Sequence, residues 1–543
     1  MERVSAYYEK IRGYTSWRHA GSPWAGGSLE RLVAFLSSSA DKSSPTSQGA
    51  AKGFAWLYRL DRATVGPGRE LSGPEELNGL DEGVSPGTPR GSNLIVLRGY
   101  PSAQWMLHIG AKYQVDPGFW LRHADFLSDA PNHASESGEL PSSCSSNIQL
   151  SLYTLGSHRI PHEERDQDVI DRARRESRES MVEYRHKLNT GILWSPCASI
   201  VRNHWVLGEG DFCIEQKVSV ALIPHKDESD SWTIIMWFDI GDDLSRSPPG
   251  PWFGDTSSPI RDIHRYFLPL RHTHLNFILD PERYLGGSSH TNELDKRVNS
   301  RHLKQSLGSL PTCYGRSLDE LDWPPSPFSV LSELLSFVVA SQLQFIKQLE
   351  LRITNCVSEP DGIDGGRDAV SQQTNLVYYR RLLQDQVRKS CRVNDFIKHR
   401  KLLGWSGGDT SCPPGEEEAD TAALRLQLDI RHVTDLAIEL RDRCDREMTV
   451  LINAANIAEV QRGIRHGRAL YKLTLLAAIY VPASFVTSFF GMNIYELGAQ
   501  DGPKFWIWAV VTVVLFTASF AFVFLTRQIV RRFRKQLARL VTI

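Results

Sequence analysis

Near the C-terminal end of the chain, Gly491, Met492 and Asn493 stand where a long uncharged run gives way to a short polar loop carrying Glu496 and Asp501. The chemistry open to this set is oxygen coordination without proton transfer. Asn493 offers a neutral carboxamide oxygen, Gly491 allows close backbone approach and bares its carbonyl, and Met492 suits a bracing, outward-packed role at the mouth. Neutral oxygens suit a small, hard dication that keeps its octahedral water shell and dehydrates reluctantly, since they hold the ion through its waters. Glu496 and Asp501, repeated around a symmetric assembly, would raise the local cation concentration at an entrance without gripping the ion. The plain alternative is a helix C-cap, with Gly491 ending the helix and Asn493 solvated.

Stepping back from Gly491 in sevens gives Ser484, Ala477, Leu470, Gly463 and Asn456, and the companion series gives Ser488, Val481, Thr474, Gly467 and Val460. One stripe is therefore small or weakly polar, while Leu475, Leu476, Ile479, Tyr480, Phe485 and Phe489 occupy the rest of the surface. A lumen lined by Thr474, Ala477, Ser484 and Ser488, with Leu470 and Val481 as constrictions, fits a narrow water-containing path with hydrophobic gates. Close packing of helices through small residues explains the same stripe. Two helices cannot enclose a path, so several copies must assemble around an axis.

The elements that would position these residues are two apolar runs, Leu473–Tyr495 and Phe505–Leu525. Each is long enough, at about 1.5 Å per residue, to cross a hydrocarbon core of about 30 Å. Arg462, Arg465, Arg468 and Lys472 precede the first run, and Arg527, Arg531, Arg532, Arg534, Lys535 and Arg539 follow the second. Basic clusters on one side only place both termini in the cytosol and the loop 496–504 outside, with Trp506 and Trp508 as interface anchors. The N-terminus has no apolar core for a secretory signal, and Glu2 and Glu9 disfavour a transit peptide. The expectation is a multi-pass integral membrane protein, in the plasma membrane rather than the mitochondrial inner membrane.

Upstream, Ala419–Lys472 lacks proline and reads as a stalk helix running into the membrane, on the order of 100 Å long when continued to Phe490. Two further helices are expected at Phe328–Asn355 and Leu376–Leu403, joined by Gly/Pro/acid-rich connectors. The N-terminal part reads as a cytosolic α/β domain. Its strands are expected at Asn93–Leu97, Ile148–Leu155, Ser199–Val206, Cys213–Ile223 and Trp232–Ile240, and its helices at Ala103–Tyr113, Pro117–Phe126 and Asp166–Leu188. Ser37–Lys52, Leu80–Ser92 and Ser245–Ser258 are rich in Ser, Pro and Gly and read as poorly ordered. The fold class is an α+β membrane protein forming a funnel-shaped homo-oligomer. Its parts are a cytosolic domain at 1–325, amphipathic helices and linkers at 326–418, the stalk at 419–472, a first span at 473–495, an external loop at 496–504, a second span at 505–525 and a basic cytosolic tail at 526–543.

The charge balance, 62 basic against 63 acidic residues, leaves no excess for nucleic acid. The 8 cysteines are scattered without CxxC, as in ordinary thiols of a reducing compartment. No Gly-rich phosphate loop, serine elbow or metallohydrolase signature is present, so nothing argues for an enzyme or a resident cofactor. His264, His272 and His274 with Asp262 and Asp280 lack a diagnostic ligand spacing and favour a surface or packing role. His162–Asp166 reads as a solvated helix start.

The stretch Tyr471–Asn493, with Pro482 inside it, the Gly-Met-Asn tripeptide at its end, the hairpin length, the C-terminal placement and the long preceding helix together resemble the CorA superfamily of magnesium transporters. The resemblance is firm over the C-terminal third and weak elsewhere, where Gln104–Pro117 is similar to a segment of the family's cytosolic domain. Where the family commonly has Tyr before the tripeptide this chain has Phe490, so a ring hydroxyl is absent from the outer mouth. What the resemblance implies is passive, channel-like transport of divalent cations, foremost Mg²⁺ as the transported ion, through a pentamer embedded in lipid. It also implies closure by cytosolic Mg²⁺ between subunits, for which Asn456, Asp442, Asp445 and Glu459 are the candidate residues here. A Zn²⁺ transporter of the ZntB-like branch, and a membrane-tethered interaction protein with a vestigial pore, are the alternatives.

Overall fold

The structure, a computed structural model, describes residues 2–16, 29–41, 53–60, 68–79, 91–127, 145–158, 167–190, 196–208, 210–225, 231–241, 244, 247–252, 263–267, 305, 308, 310, 314–315, 326–358, 365–406, 416–490 and 504–541. In chain order the elements are α1 (Glu2–Thr15), α2 (Glu30–Asp41), β1 (Ala55–Leu60), β2 (Arg69–Leu71), α3 (Glu76–Gly79), β3 (Ser92–Arg98), α4 (Ala103–Tyr113), α5 (Pro117–His123), β4 (Asn147–His158), α6 (Gln167–Thr190), β5 (Asn203–Val206), β6 (Asp211–Pro224), β7 (Trp232–Phe238), β8 (Ile263–Phe267), α7 (Pro327–Ser358), α8 (Gly365–His399), α9 (Glu416–Phe490) and α10 (Phe505–Val541). The chain divides into two compact units, Met1–Glu447 and Met448–Ile543.

The first unit is built on an eight-stranded sheet of order β2-β1-β3-β7-β6-β4-β8, with β5 paired to β6 off this path. Its pairs are antiparallel except β3 with β7, which run parallel. A parallel pair needs a long crossover and cover on both faces. All seven residues of β7 and Leu94–Leu97 of β3 are accordingly buried. The long strand β6 is the spine. Along one edge it pairs with β4, and along the other it serves β5 at Phe212–Glu215 and β7 at Val218–Pro224.

Local chemistry sets the covering helices. Asp116 caps α5 by accepting from Gly118 N at 2.9 Å, with Pro117 in the first turn, where a missing N–H costs nothing. Gln114 closes α4 in the left-handed conformation, φ 51°. Trp105, Met106, Ile109, Phe119 and Trp120 of these helices, with Tyr7 and Ile11 of α1, pack on Ile95, Leu97, Ile235 and Trp237. Tyr7 fixes α1 in place, donating to Val115 O at 2.7 Å and accepting from Trp120 Nε1 at 3.1 Å. Against β4, α7 stacks Phe345 on Tyr153 with ring centroids 4.6 Å apart. From α8, Tyr379 donates to Leu207 O at 2.7 Å.

Several expectations shift. The strand expected over Ser199–Val206 shortens to Asn203–Val206, because the residues before it cross the ends of β3 and β7. In that crossing Tyr100 N donates to Ala198 O at 2.7 Å and Ile200 N to Asp239 O at 2.9 Å. The strand expected to end at Ile240 ends at Phe238, since Asp239 is drawn into an ion pair with Arg202. Among the observed elements, β1, β2, β8, α1, α2 and α3 have no counterpart in the expected strands and helices. Within Ser245–Ser258, expected to be poorly ordered, Trp252 is fully buried against Tyr184, and Ser247 Oγ accepts from Ser199 N at 2.9 Å. Most of Ser37–Lys52 and Leu80–Ser92, and residues 253–258, lie outside the described residues.

The crossing also explains two glycines. A Cβ at Gly241 would sit 1.8 Å from Cys197 O, and Gly99 holds φ +67° with Cys197 and Ala198 carbonyl oxygens 2.6 Å from where its Cβ would be. Backbone cannot yield there as a flexible side chain would. Gly241→Ala is therefore expected to lower the stability of the first unit by about 3 kcal/mol or more. A urea midpoint that drops at constant slope checks this, and an unmoved midpoint would mean that the crossing opens easily.

Candidate functional site

The candidate site lies on the last turns of α9. This helix is unbroken from Glu416 to Phe490, so the phase set in its polar part carries through to the residue before Gly491. At about 100° per residue, Leu470, Thr474, Ala477, Val481, Ser484 and Ser488 fall within one arc of about 80°, over a length of about 27 Å. All six side chains are exposed in the single chain. The two positions expected to be constrictions, Leu470 at 63% and Val481 at 64%, have no cover of their own, so any narrowing at them has to come from neighbouring copies. Gly491, Met492, Asn493, Glu496 and Asp501 lie outside the described residues, as does the remainder of the first span beyond Phe490.

Two hydroxyls of this face are turned to their own backbone. Thr474 Oγ1 donates to Leu470 O at 2.9 Å, and Ser484 Oγ donates to Val481 O at 3.2 Å. With the hydroxyl hydrogens engaged, the oxygens present lone pairs outward. These two oxygens accept hydrogen bonds from the waters around a cation and give an anion nothing. Pro482 has no N–H, so the carbonyl of residue 478 loses its usual partner four residues on.

On α10 two hydroxyls are likewise internal: Thr512 Oγ1 donates to Trp508 O at 2.7 Å and Thr517 Oγ1 to Val513 O at 2.9 Å. That is how hydroxyls are tolerated in hydrocarbon. Among the described residues two helices are long and apolar enough to cross a membrane, Pro327–Val357 and Phe505–Phe522. Burial separates them. The first is 67% buried and serves as a core helix of the first unit, whereas none of the second is buried. Tyr480, Phe485, Val513, Phe520 and Phe522 are all more than half exposed, an apolar surface that calls for an apolar surrounding.

The candidate regulatory residues Asp442, Asp445, Asn456 and Glu459 all lie on α9. Asp445 pairs with Arg380 at 2.7 Å, Asp442 accepts from Arg441 at 2.8 Å, and Asn456 and Glu459 are exposed. Among the described residues no group of three His, Cys, Asp or Glu could hold a metal ion. His264 lies on β8, and the side chains of the His264, His272 and His274 group with Asp262 and Asp280 lie outside the described residues, as does His162–Asp166.

One charged cluster went unseen in the sequence. Asp239, fully buried, takes Arg202 Nε and Nη2 at 2.7 Å each, and Arg202 also binds Asp125 and donates to His123 O at 2.7 Å. Lys217 pairs with Asp125 at 2.8 Å. Burial pushes the His123 imidazole down to about 4, while its Nδ1 lies 2.9 Å from Ser219 Oγ and its ring stacks on Trp237 at 4.0 Å. Burial would raise the Asp239 carboxyl, but the adjacent Arg202 guanidinium outweighs it and holds the group well below the usual carboxylate range. Each charge here is answered inside the cluster, as in a clamp that ties β5, β6 and the end of β7 to α5.

Residues 295–532 match the family model described as CorA-like Mg²⁺ transporter protein. Among solved structures, the full-length CmaX protein aligns with a TM-score of 0.31 at 12% identity, covering 91% of this chain and 100% of its own. The CorA magnesium transporter from Methanocaldococcus jannaschii aligns with a TM-score of 0.29 at 10% identity, covering 86% of this chain and 96% of its own. Among curated proteins none matches the chain.

Proposed function

We propose, from the match of residues 295–532 to the CorA-like Mg²⁺ transporter family model, that the chain is one subunit of a homo-oligomeric, channel-like path for divalent cations, with Mg²⁺ as its principal substrate. The family is one of ion transporters rather than enzymes; its members use no cofactor, and Mg²⁺ is the ion carried. The observation that supports the reading here is the single face of α9, Leu470 to Ser488, that leads directly to Gly491-Met492-Asn493. In the assembly this face lines the lumen and α10 lies outside it. The Asn493 carboxamides ring the outer mouth and hold the ion through its water shell, and Glu496 and Asp501 concentrate cations in front of it. Leu470 and Val481, brought together from several copies, form the narrow places. Five copies in a funnel, with both termini cytosolic in the plasma membrane, complete the proposal.

Transport is passive. A potential of 100 mV contributes about 2.3 kcal/mol per charge, so a dication gains about 4.6 kcal/mol on entry, enough for accumulation without nucleotide hydrolysis. The test is flux of Mg²⁺, Zn²⁺, Co²⁺ and Ni²⁺ into liposomes containing the purified chain. Mg²⁺ flux that the other ions reduce only in excess supports the reading. Preferred Zn²⁺ flux would move the chain to a Zn²⁺ transporter, and no flux of any ion would leave the membrane hairpin as an anchor with a vestigial pore.

A further inference from the structure

Residues 526–543 contain six cations, Arg527, Arg531, Arg532, Arg534, Lys535 and Arg539, and neither Asp nor Glu. The helix α10 runs without interruption from Phe505 to Val541, so these positions share the phase of the apolar stretch before them. At about 100° per residue the six fall on one arc of about 160°, and Ile529, Phe533, Leu537 and Leu540 fall on the opposite side. A helix so divided, emerging from an apolar span, presents one cationic side where it leaves the bilayer.

Depth sharpens the assignment. A hydrocarbon core of about 30 Å takes up about 20 residues of helix, which Phe505–Leu525 supply. Arg527, Arg531 and Arg532 then emerge at headgroup depth, and Arg534 and Lys535 follow within about one Debye length. Orientation in the bilayer is indifferent to whether the flanking cation is Lys or Arg. Five of the six are Arg, whose planar fork meets a phosphate with two parallel hydrogen bonds where Lys offers a point charge. We infer that the basic arc of α10 docks anionic phospholipid headgroups of the leaflet into which it emerges. This rests on the membrane-spanning reading of α10.

The test uses the full chain, reconstituted in equal parts phosphatidylcholine and phosphatidylglycerol, re-extracted, washed, and analysed by mass spectrometry for lipid retained per chain. The wild type is expected to retain phosphatidylglycerol in preference, and R531Q/R532Q/R534Q/K535Q to lose that preference by about tenfold or more, as four lost cations near an anionic surface imply. The charge-preserving R531K/R532K/R534K, which leaves the topology signal intact, is expected to fall between them. Equal retention by the wild type and the Gln variant overturns the inference. Unchanged lipid retention with weakened association between copies also overturns it, because the arc then serves an acidic surface of a second copy. Insertion is read separately, as resistance to alkaline extraction from phosphatidylcholine vesicles. Failure there removes the membrane reading itself, whereas insertion with equal retention removes only the lipid site.

Discussion

Asn493→Ala is expected to abolish Mg²⁺ uptake while the assembly, read by size in mild detergent, stays intact. The alanine removes the carboxamide from every copy at once, so the mouth loses a whole ring of neutral oxygens rather than one ligand. A hydrated dication then meets a methyl rim, and direct dehydration is no substitute, because Mg²⁺ exchanges its waters reluctantly. Stability has little at stake, since a single substitution away from a core or a buried network usually changes it by within about 0.5 kcal/mol. Asn493→Asp is the instructive companion. A ring of carboxylates attracts the ion more strongly but holds it, and conduction needs binding weak enough to allow release. Flux through the Asp variant is therefore expected to be lower than wild type, with tighter apparent affinity. Unaltered uptake in the Ala variant would mean that Asn493 is a solvated helix cap and that selection happens elsewhere.

How far this was readable from the residues depends on the range of the interaction. The stripe from Leu470 to Ser488 is visible because a helix repeats every 3.6 residues, and nothing outside α9 is needed to place those positions on one face. The expected bounds of α4 coincide with the observed Ala103–Tyr113, since its apolar spacing and its left-handed end at Gln114 are local. In contrast, β1 was passed over. Its sequence Ala-Trp-Leu-Tyr-Arg-Leu breaks simple alternation, and only pairing with β3 on one side and β2 on the other makes it a strand. The helix α1 buries Tyr7, Ile11 and Thr15, a spacing of four that is local to the sequence. The clamp is the extreme case. Arg202 reaches Asp239 across 37 positions and His123 across 79, and the parallel pairing of β3 and β7 fixes where the end of β7 lies.

That clamp carries the second large expectation, on stability rather than transport. Asp239→Asn removes the charge with little change of shape and leaves the Arg202 guanidinium, 10% exposed, with only the more exposed Asp125 to answer it. Breaking a buried pair from one side costs about 3–5 kcal/mol, most of it the desolvation of the partner left behind. The double variant Arg202→Met with Asp239→Leu removes both charges and is expected to recover much of that loss, which a double-mutant cycle would record as coupling. Acidity acts on the same cluster in one direction. The Asp239 carboxyl is depressed, so its contribution is present above the unfolded carboxylate value and is lost as pH falls through the folded one. Buried His123 titrates near 4, below the unfolded value of about 6.5, so between those values the unfolded chain binds the extra proton and the fold weakens as pH falls. His123 alone makes stability rise from about pH 4 to about pH 6.5, with a slope of about 1.4 kcal/mol per pH unit inside that window, whereas Asp239 acts below the unfolded carboxylate value. His123→Gln is expected to flatten the curve by one proton between those limits, read as urea midpoints across pH. An unchanged slope would mean that the imidazole is already protonated in the folded unit, its charge answered by Asp239.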